Sequence, residues 1–133
     1  MNWNRVVLAG VLSGIATFLA DFVLHGVLMA DTYKRYTEVF TQTQASPLKF
    51  LAVSIALSIC IVILFAKTRS VWAEGVKGGL AFGFWFGVAI FFLNFFSPLV
   101  IAGFPYFLAW CWGGIGVIDC LVGGAVAGAI VKR

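Results

Sequence analysis

The fold is decided within a long apolar run near the start of the chain, whose residues 17–29 read TFLADFVLHGVLM. The run is long enough to cross a bilayer, yet it contains a carboxylate, Asp21, and the single histidine of the chain, His25. In an α-helix these two residues lie one above the other on one face, and Met29 continues that face by a further turn. A charge near the bilayer centre costs roughly 2.5–3.5 kcal/mol on insertion scales, so such residues normally face protein and find a partner. The stretch therefore predicts a membrane helix with a buried polar stripe.

The composition of the whole chain is that of a membrane protein. Its 133 residues fit one domain, 62% of them are hydrophobic and only 11% are charged, whereas an ordinary soluble domain is about 25% charged. Nine Lys and Arg residues against five Asp and Glu give a net charge of +4. The basic residues stand in ones and twos at the ends of apolar runs, which is typical of cytoplasmic anchors and excludes a nucleic-acid-binding patch.

The apolar runs predict an all-α membrane protein, an antiparallel bundle of four transmembrane helices that forms a single domain over residues 1–133. The spans are predicted at about residues 5–29, 47–66, 75–96 and 105–131. With four spans, both termini lie on one side of the bilayer. That side carries six basic residues and the other side three, so we expect both termini to be cytoplasmic. The six are Arg5, Lys67, Arg69, Lys77, Lys132 and Arg133, and the three are Lys34, Arg35 and Lys49.

The longest polar stretch follows the first span, and within it residues 31–41 are predicted to form a short amphipathic helix. On such a helix the apolar side chains of Tyr33, Tyr36, Val39 and Phe40 fall on one side. This pattern is typical of a helix that lies on the membrane surface. A lid over a binding site is the alternative interpretation.

Glycines recur along the third and fourth spans at spacings that place them on one helix face. Small residues in these positions let two helix backbones approach closely, which is how helices associate in lipid. These glycine faces are larger than one small bundle needs. We therefore expect a homo-oligomer or a subunit of a larger membrane complex. The positions are Gly79, Gly83 and Gly87 in the third span and Gly113, Gly116, Gly124 and Gly128 in the fourth.

The predicted topology gives each polar residue inside the membrane a depth. Most of them fall in the outer half of the bilayer, and Asp119 lies near its centre. A cluster that opens away from the cytoplasm is therefore the candidate ligand- or proton-binding site, with Trp110 and Trp112 beside it as interface anchors or as pocket walls. The predicted members of the cluster are Asp21, His25, Asn94, Asp119 and Ser54.

Three chemistries fit this cluster. A carboxylate next to an imidazole can relay a proton. The same pair can hold a metal ion, with Asp21 orienting His25 and with Met29 and Cys111 as soft ligands for Cu(I). The polar groups can also bind the head of a lipid-like ligand such as a quinone. No cofactor follows from the residues, and a single histidine excludes a bis-histidine haem or a three-histidine zinc site within one chain.

The structural alternative is that these polar side chains only join helices by hydrogen bonds. Each such contact contributes about 0.6 kcal/mol to the stability of the bundle. The sequence contains no nucleotide-binding loop, nucleophile elbow or metalloprotease signature, so no motif indicates an enzyme. The favoured function is a site that binds or moves a proton or small cation and is open to the non-cytoplasmic side. The alternatives are a non-catalytic accessory subunit of a membrane complex and the binding of a metal, quinone or lipid-like ligand.

Residues 21–28, DFVLHGVL, resemble segments of small, uncharacterised bacterial membrane proteins with four spans. In those segments an acidic residue precedes a similar Leu-His-Gly-Val-Leu run. The resemblance covers the first span and the four-span plan, and it implies a bacterial inner (plasma) membrane. It implies no activity.

Overall fold

The computed structural model describes residues 1–41 and 46–132, and every regular element within these ranges is helical. Single π-helical or 3₁₀ turns join or extend the α-helices at Leu24–Leu28, Arg69–Val71 and Asn94–Phe96. The α-helices are α1 (Trp3–Val23), α2 (Ala30–Arg35), α3 (Pro47–Lys67), α4 (Gly75–Leu93), α5 (Ser97–Val100) and α6 (Tyr106–Ile130).

Four helical segments of the described chain are long and apolar enough to cross a membrane. This confirms the prediction of an all-helical protein with four candidate spans. The third segment runs four residues past its predicted end, because Pro98 lies in the first turn of α5, where a helix needs no N–H donor. The four segments are Trp3–Leu28, Pro47–Lys67, Gly75–Val100 and Tyr106–Ile130.

The long helices pack in the spatial order α3, α1, α6, α4, with the most extensive contact between α4 and α6. Between α1 and α3, Gly10 lies against Ile59 and Gly14 against Ile55, so residue numbers rise along one helix as they fall along the other. The hydroxyl of Ser13 joins α1 to α6 by donating to the carbonyl of Gly123.

The glycines of α4 face α6 of the same chain. A Cβ on Gly79 would lie 1.9 Å from the carbonyl oxygen of Gly124, and a Cβ on Gly83 would lie 2.2 Å from that of Cys120. The two backbones are thus in direct contact, as small residues allow. Much of the glycine surface of α4 therefore closes a contact within one chain. A homo-oligomer or a place in a larger complex stays a prediction.

The interior has three levels along the long helices. At the end that carries both termini, an apolar core packs tightly around Phe65 and Phe82. A cavity that contains two carboxyl groups follows at the middle level, and aromatic side chains close the opposite end. Along the first span, Val6 lies in the apolar core, Ser13 lines the cavity and His25 contacts the aromatic side chains.

Candidate functional site

The candidate site is a cavity of about 140 Å³ to which all four long helices contribute. On α1 and α3 its polar groups lie on successive turns, because a spacing of four residues keeps side chains on one helix face. The volume is several times what one water molecule needs. The polar lining consists of Ser13, Thr17 and Asp21 from α1, Ser54 and Ser58 from α3, and Asp119 and Cys120 from α6.

Three hydroxyl groups of the lining, those of Ser13, Thr17 and Ser58, have hydrogen-bond partners. Ser13 donates to the carbonyl of Gly123 at 3.0 Å, and Thr17 donates to the carbonyl of Gly14 at 3.1 Å. The hydroxyls of Thr17 and Ser58 lie 3.5 Å apart. These contacts join α1 to α6 and to α3, so they fix the walls of the cavity.

The two carboxyl groups of the cavity, Asp21 and Asp119, come from different helices and interact with each other. The Oδ1 atom of Asp119 is buried and has no hydrogen-bond partner among the described residues. No Lys or Arg is found in the described lining of the cavity. The described lining thus places two acidic groups together in an apolar surround, without a Lys or Arg to neutralise them.

His25 lies above this pair, in the π-helical turn that ends α1. Its Nε2 is 3.7 Å from Oδ1 of Asp21, and its Nδ1 is hydrogen-bonded to the hydroxyl of Tyr33. The indole Nε1 of Trp112 donates to the same hydroxyl at 2.8 Å. Single π turns within α-helices occur frequently at functional sites.

The donors and acceptors of this network allow an order of protons in which the Tyr33 hydroxyl donates to Nδ1 of His25. An indole nitrogen can only donate, so the hydroxyl oxygen of Tyr33 accepts from Trp112. Burial raises the pKa of Tyr33, and the phenol therefore keeps its proton at neutral pH and can donate it to Nδ1 of His25. Nε2 of His25 then carries the ring proton and faces Asp21.

An aromatic cap, defined by Tyr33, Phe40, Phe104 and Trp112, closes this end of the molecule. The ring of Trp112 lies 5.2 Å from that of Phe104 and 5.9 Å from that of Phe40, centroid to centroid. Within the predicted amphipathic segment, α2 ends at Arg35 and a turn follows. Aromatic side chains of this segment contact protein above His25, which favours the interpretation of the segment as a lid.

The structure places the other predicted residues as follows. Ser54 lines the cavity with Asp21 and Asp119, and His25 borders Asp21. Asn94 lies outside the lining, and its amide donates to the carbonyl of Ile90 at 2.8 Å, one turn back. Trp112 belongs to the cap, whereas Trp110 is 54% exposed and packs on Phe91 and Phe95.

The predicted metal ligands are His25, Met29 and Cys111. Cys111 lies near Tyr33. Met29 follows the π turn, whose i→i+5 bond from Met29 to Leu24 adds a residue to the turn and breaks the predicted α-helical stripe. Among the described residues, no three His, Cys, Asp or Glu side chains are grouped so as to hold a metal ion.

The predicted cluster lacked Ser13, Thr17, Ser58 and Cys120 of the lining and the contact from Tyr33. Ser13 continues the stripe of Thr17 and Asp21 at the same four-residue spacing, and that spacing was the signal available for it. The contact from Tyr33 back to His25 depends on a reversal of the chain after Met29, for which the local sequence holds no clear signal.

Comparison of the chain with protein-family models, with curated proteins and with solved structures returns no match.

Proposed function

We propose that the chain binds a proton or small cation at the Asp21–Asp119 pair and moves it between the cavity and the non-cytoplasmic face. The observation that carries this proposal is the buried Oδ1 of Asp119, which has no hydrogen-bond partner among the described residues although it shares the cavity with a second carboxyl group. A polar atom in such a position requires a partner.

The chemistry of the cavity limits what that partner is. An ionised carboxylate in an apolar surround is costly unless it is paired, and two neighbouring carboxylates also repel each other. Since the described lining supplies no Lys or Arg, we infer that the compensating charge is mobile. A proton shared by the two carboxyl groups meets this need. A small cation held by the carboxylates and by the hydroxyls of Thr17 and Ser58 meets it equally.

The contacts above the pair support a route to the outside. His25 lies between Asp21 and Tyr33, and a neutral imidazole can accept a proton on one nitrogen and release one from the other. Once Nδ1 of His25 takes up a proton it can only donate, so its hydrogen bond with the Tyr33 hydroxyl reverses direction. This contact links the protonation of His25 to the aromatic cap.

We place the protein as an antiparallel four-helix bundle in a bacterial inner membrane, with both termini cytoplasmic. The opposed residue numbering in the contacts of α1 with α3 and of α4 with α6 supports the antiparallel arrangement. The excess of basic residues at the end with the termini supports the orientation. The resemblance of residues 21–28 to four-span bacterial proteins supports the choice of membrane.

The experiment is a flux measurement on purified protein in lipid vesicles that contain a pH-sensitive dye. Under an imposed membrane potential, we expect proton entry faster than in protein-free vesicles, or a matching entry of Na⁺ or K⁺ when those ions are supplied. Rates equal to those of protein-free vesicles for all three ions would contradict the proposal. A stable partner protein that co-purifies with an inactive chain would instead support an accessory subunit.

A further inference from the structure

A second cavity, of about 540 Å³, lies at the end of the molecule that carries the termini. The segments that line it are the start of α1, the end of α3 with the turn that follows, and the residues after α6. None of its described lining residues is acidic. The charged side chains of the lining are Arg5, Lys67, Arg69 and Lys132.

Arg69 is a fixed cation in the wall of this cavity. Its side chain is only 6% exposed, and the guanidinium lies over the ring of Phe65 at 5.3 Å. Nε donates to the carbonyl of Val131 at 3.1 Å, and Nη1 donates to the carbonyl of Ala73 at 2.8 Å. These partners are neutral carbonyls, and neither ion pair found among the described residues includes a cation of this cavity.

We propose that this cavity binds a phosphate-bearing anion, supplied either by the headgroup of an anionic phospholipid or as free phosphate. Guanidinium and ammonium groups are the usual protein partners of phosphate oxygens. The cavity also lies at the ends of three spans, at the level where lipid headgroups are found. The general excess of positive charge on the cytoplasmic side accounts for the sign of these residues. This excess does not explain why four basic side chains from separate segments line one cavity that has no described counter-ion. The inference is independent of the proposed function.

The test measures binding to the purified wild-type protein by native mass spectrometry and by thermal stabilisation in detergent. The probes are a short-chain phosphatidylglycerol, the matched phosphatidylcholine, and inorganic phosphate. The test variant replaces Arg5 and Lys67 by glutamine, since both side chains are exposed and Arg69 is needed for packing. We expect phosphatidylglycerol to bind more tightly than phosphatidylcholine, and its affinity to fall about 30-fold in the double variant, at roughly fivefold for each lost cation.

The matched control replaces Lys34 and Lys49, two exposed lysines near the opposite end, by glutamine, and should keep wild-type affinity. Stronger binding of phosphatidylglycerol than of inorganic phosphate assigns the site to a lipid headgroup, and the reverse assigns it to free phosphate. Equal affinity of wild-type protein for the two lipids without binding of phosphate would overturn the proposal. An equal loss of affinity in the test and control variants would do the same. Lys132→Gln, at an exposed position after α6, provides a second test variant should the double variant fail to fold.

Discussion

Proton or cation flux in reconstituted vesicles is expected to fall to the level of protein-free vesicles when Asp119 is replaced by asparagine. The amide keeps the shape of the carboxyl group but cannot release a proton, and it offers no negative charge to a cation. Because Oδ1 of Asp119 has no described hydrogen-bond partner, the substitution breaks no hydrogen bond at that atom. We therefore expect the free energy of unfolding to stay within about 1 kcal/mol of wild type.

The control for this variant is Asp31→Asn, which removes an exposed carboxyl group whose contact with Lys34 is a surface ion pair. Such pairs contribute little to stability, so both flux and unfolding should match those of the wild type. If Asp119 only joins helices, Asp119→Asn will keep full flux and lose about 0.6 kcal/mol of stability at most. Full flux in a folded Asp119→Asn protein would remove the carboxyl pair from the mechanism.

Gly79→Ala should cause a large loss of stability for a conservative substitution. The new methyl group would lie 1.9 Å from the carbonyl oxygen of Gly124, and this atom belongs to a helix backbone that cannot turn aside as a side chain does. Overpacking of a close interface costs roughly 1–3 kcal/mol and sometimes more. We expect a loss at or above the upper end of that range, measured as the free energy of unfolding in mixed detergent.

The same substitution at Gly114 is the matched control, because a Cβ there meets no atom within 4 Å. Gly114 lies on α6, the helix that Gly79 contacts. Its replacement should leave stability unchanged or raise it by up to about 1 kcal/mol through helix propensity. Equal stability of the two variants would show that α4 and α6 do not pack through these glycines.

The number and extent of the long helices could be predicted because they follow from local composition. An apolar run of sufficient length has few alternatives to a membrane helix. The packing order of the helices could not be predicted. In a membrane helix the face that contacts protein and the face that contacts lipid are both apolar, so hydrophobicity does not distinguish them. The glycines of α4 show this limit: their spacing identified a contact face, but small residues look the same whether the partner is another helix or another copy.

The candidate site could be predicted only in part, from the spacing and the depth of its residues. Asp21 and His25 are neighbours because of their spacing within one helix, and depth alone brought Ser54 and Asp119 to the level of the cavity. Depth does not fix the direction in which a side chain points around its helix axis. Depth placed Asn94 in the predicted cluster, but its amide bonds to Ile90 of its own span. The role of each of these residues in binding stays a prediction.

The most direct measurement of the central claim is infrared difference spectroscopy of the carboxyl groups in purified protein at neutral pH. If the Asp21–Asp119 pair holds a proton, the wild type will show the carbonyl band of a protonated carboxyl group, and Asp119→Asn will lose that band while Asp31→Asn keeps it. If the pair holds a cation, addition of Na⁺ or K⁺ will shift the carboxylate bands in the wild type but not in Asp119→Asn. A wild-type protein with neither a protonated carboxyl band nor a cation-dependent shift would contradict the account.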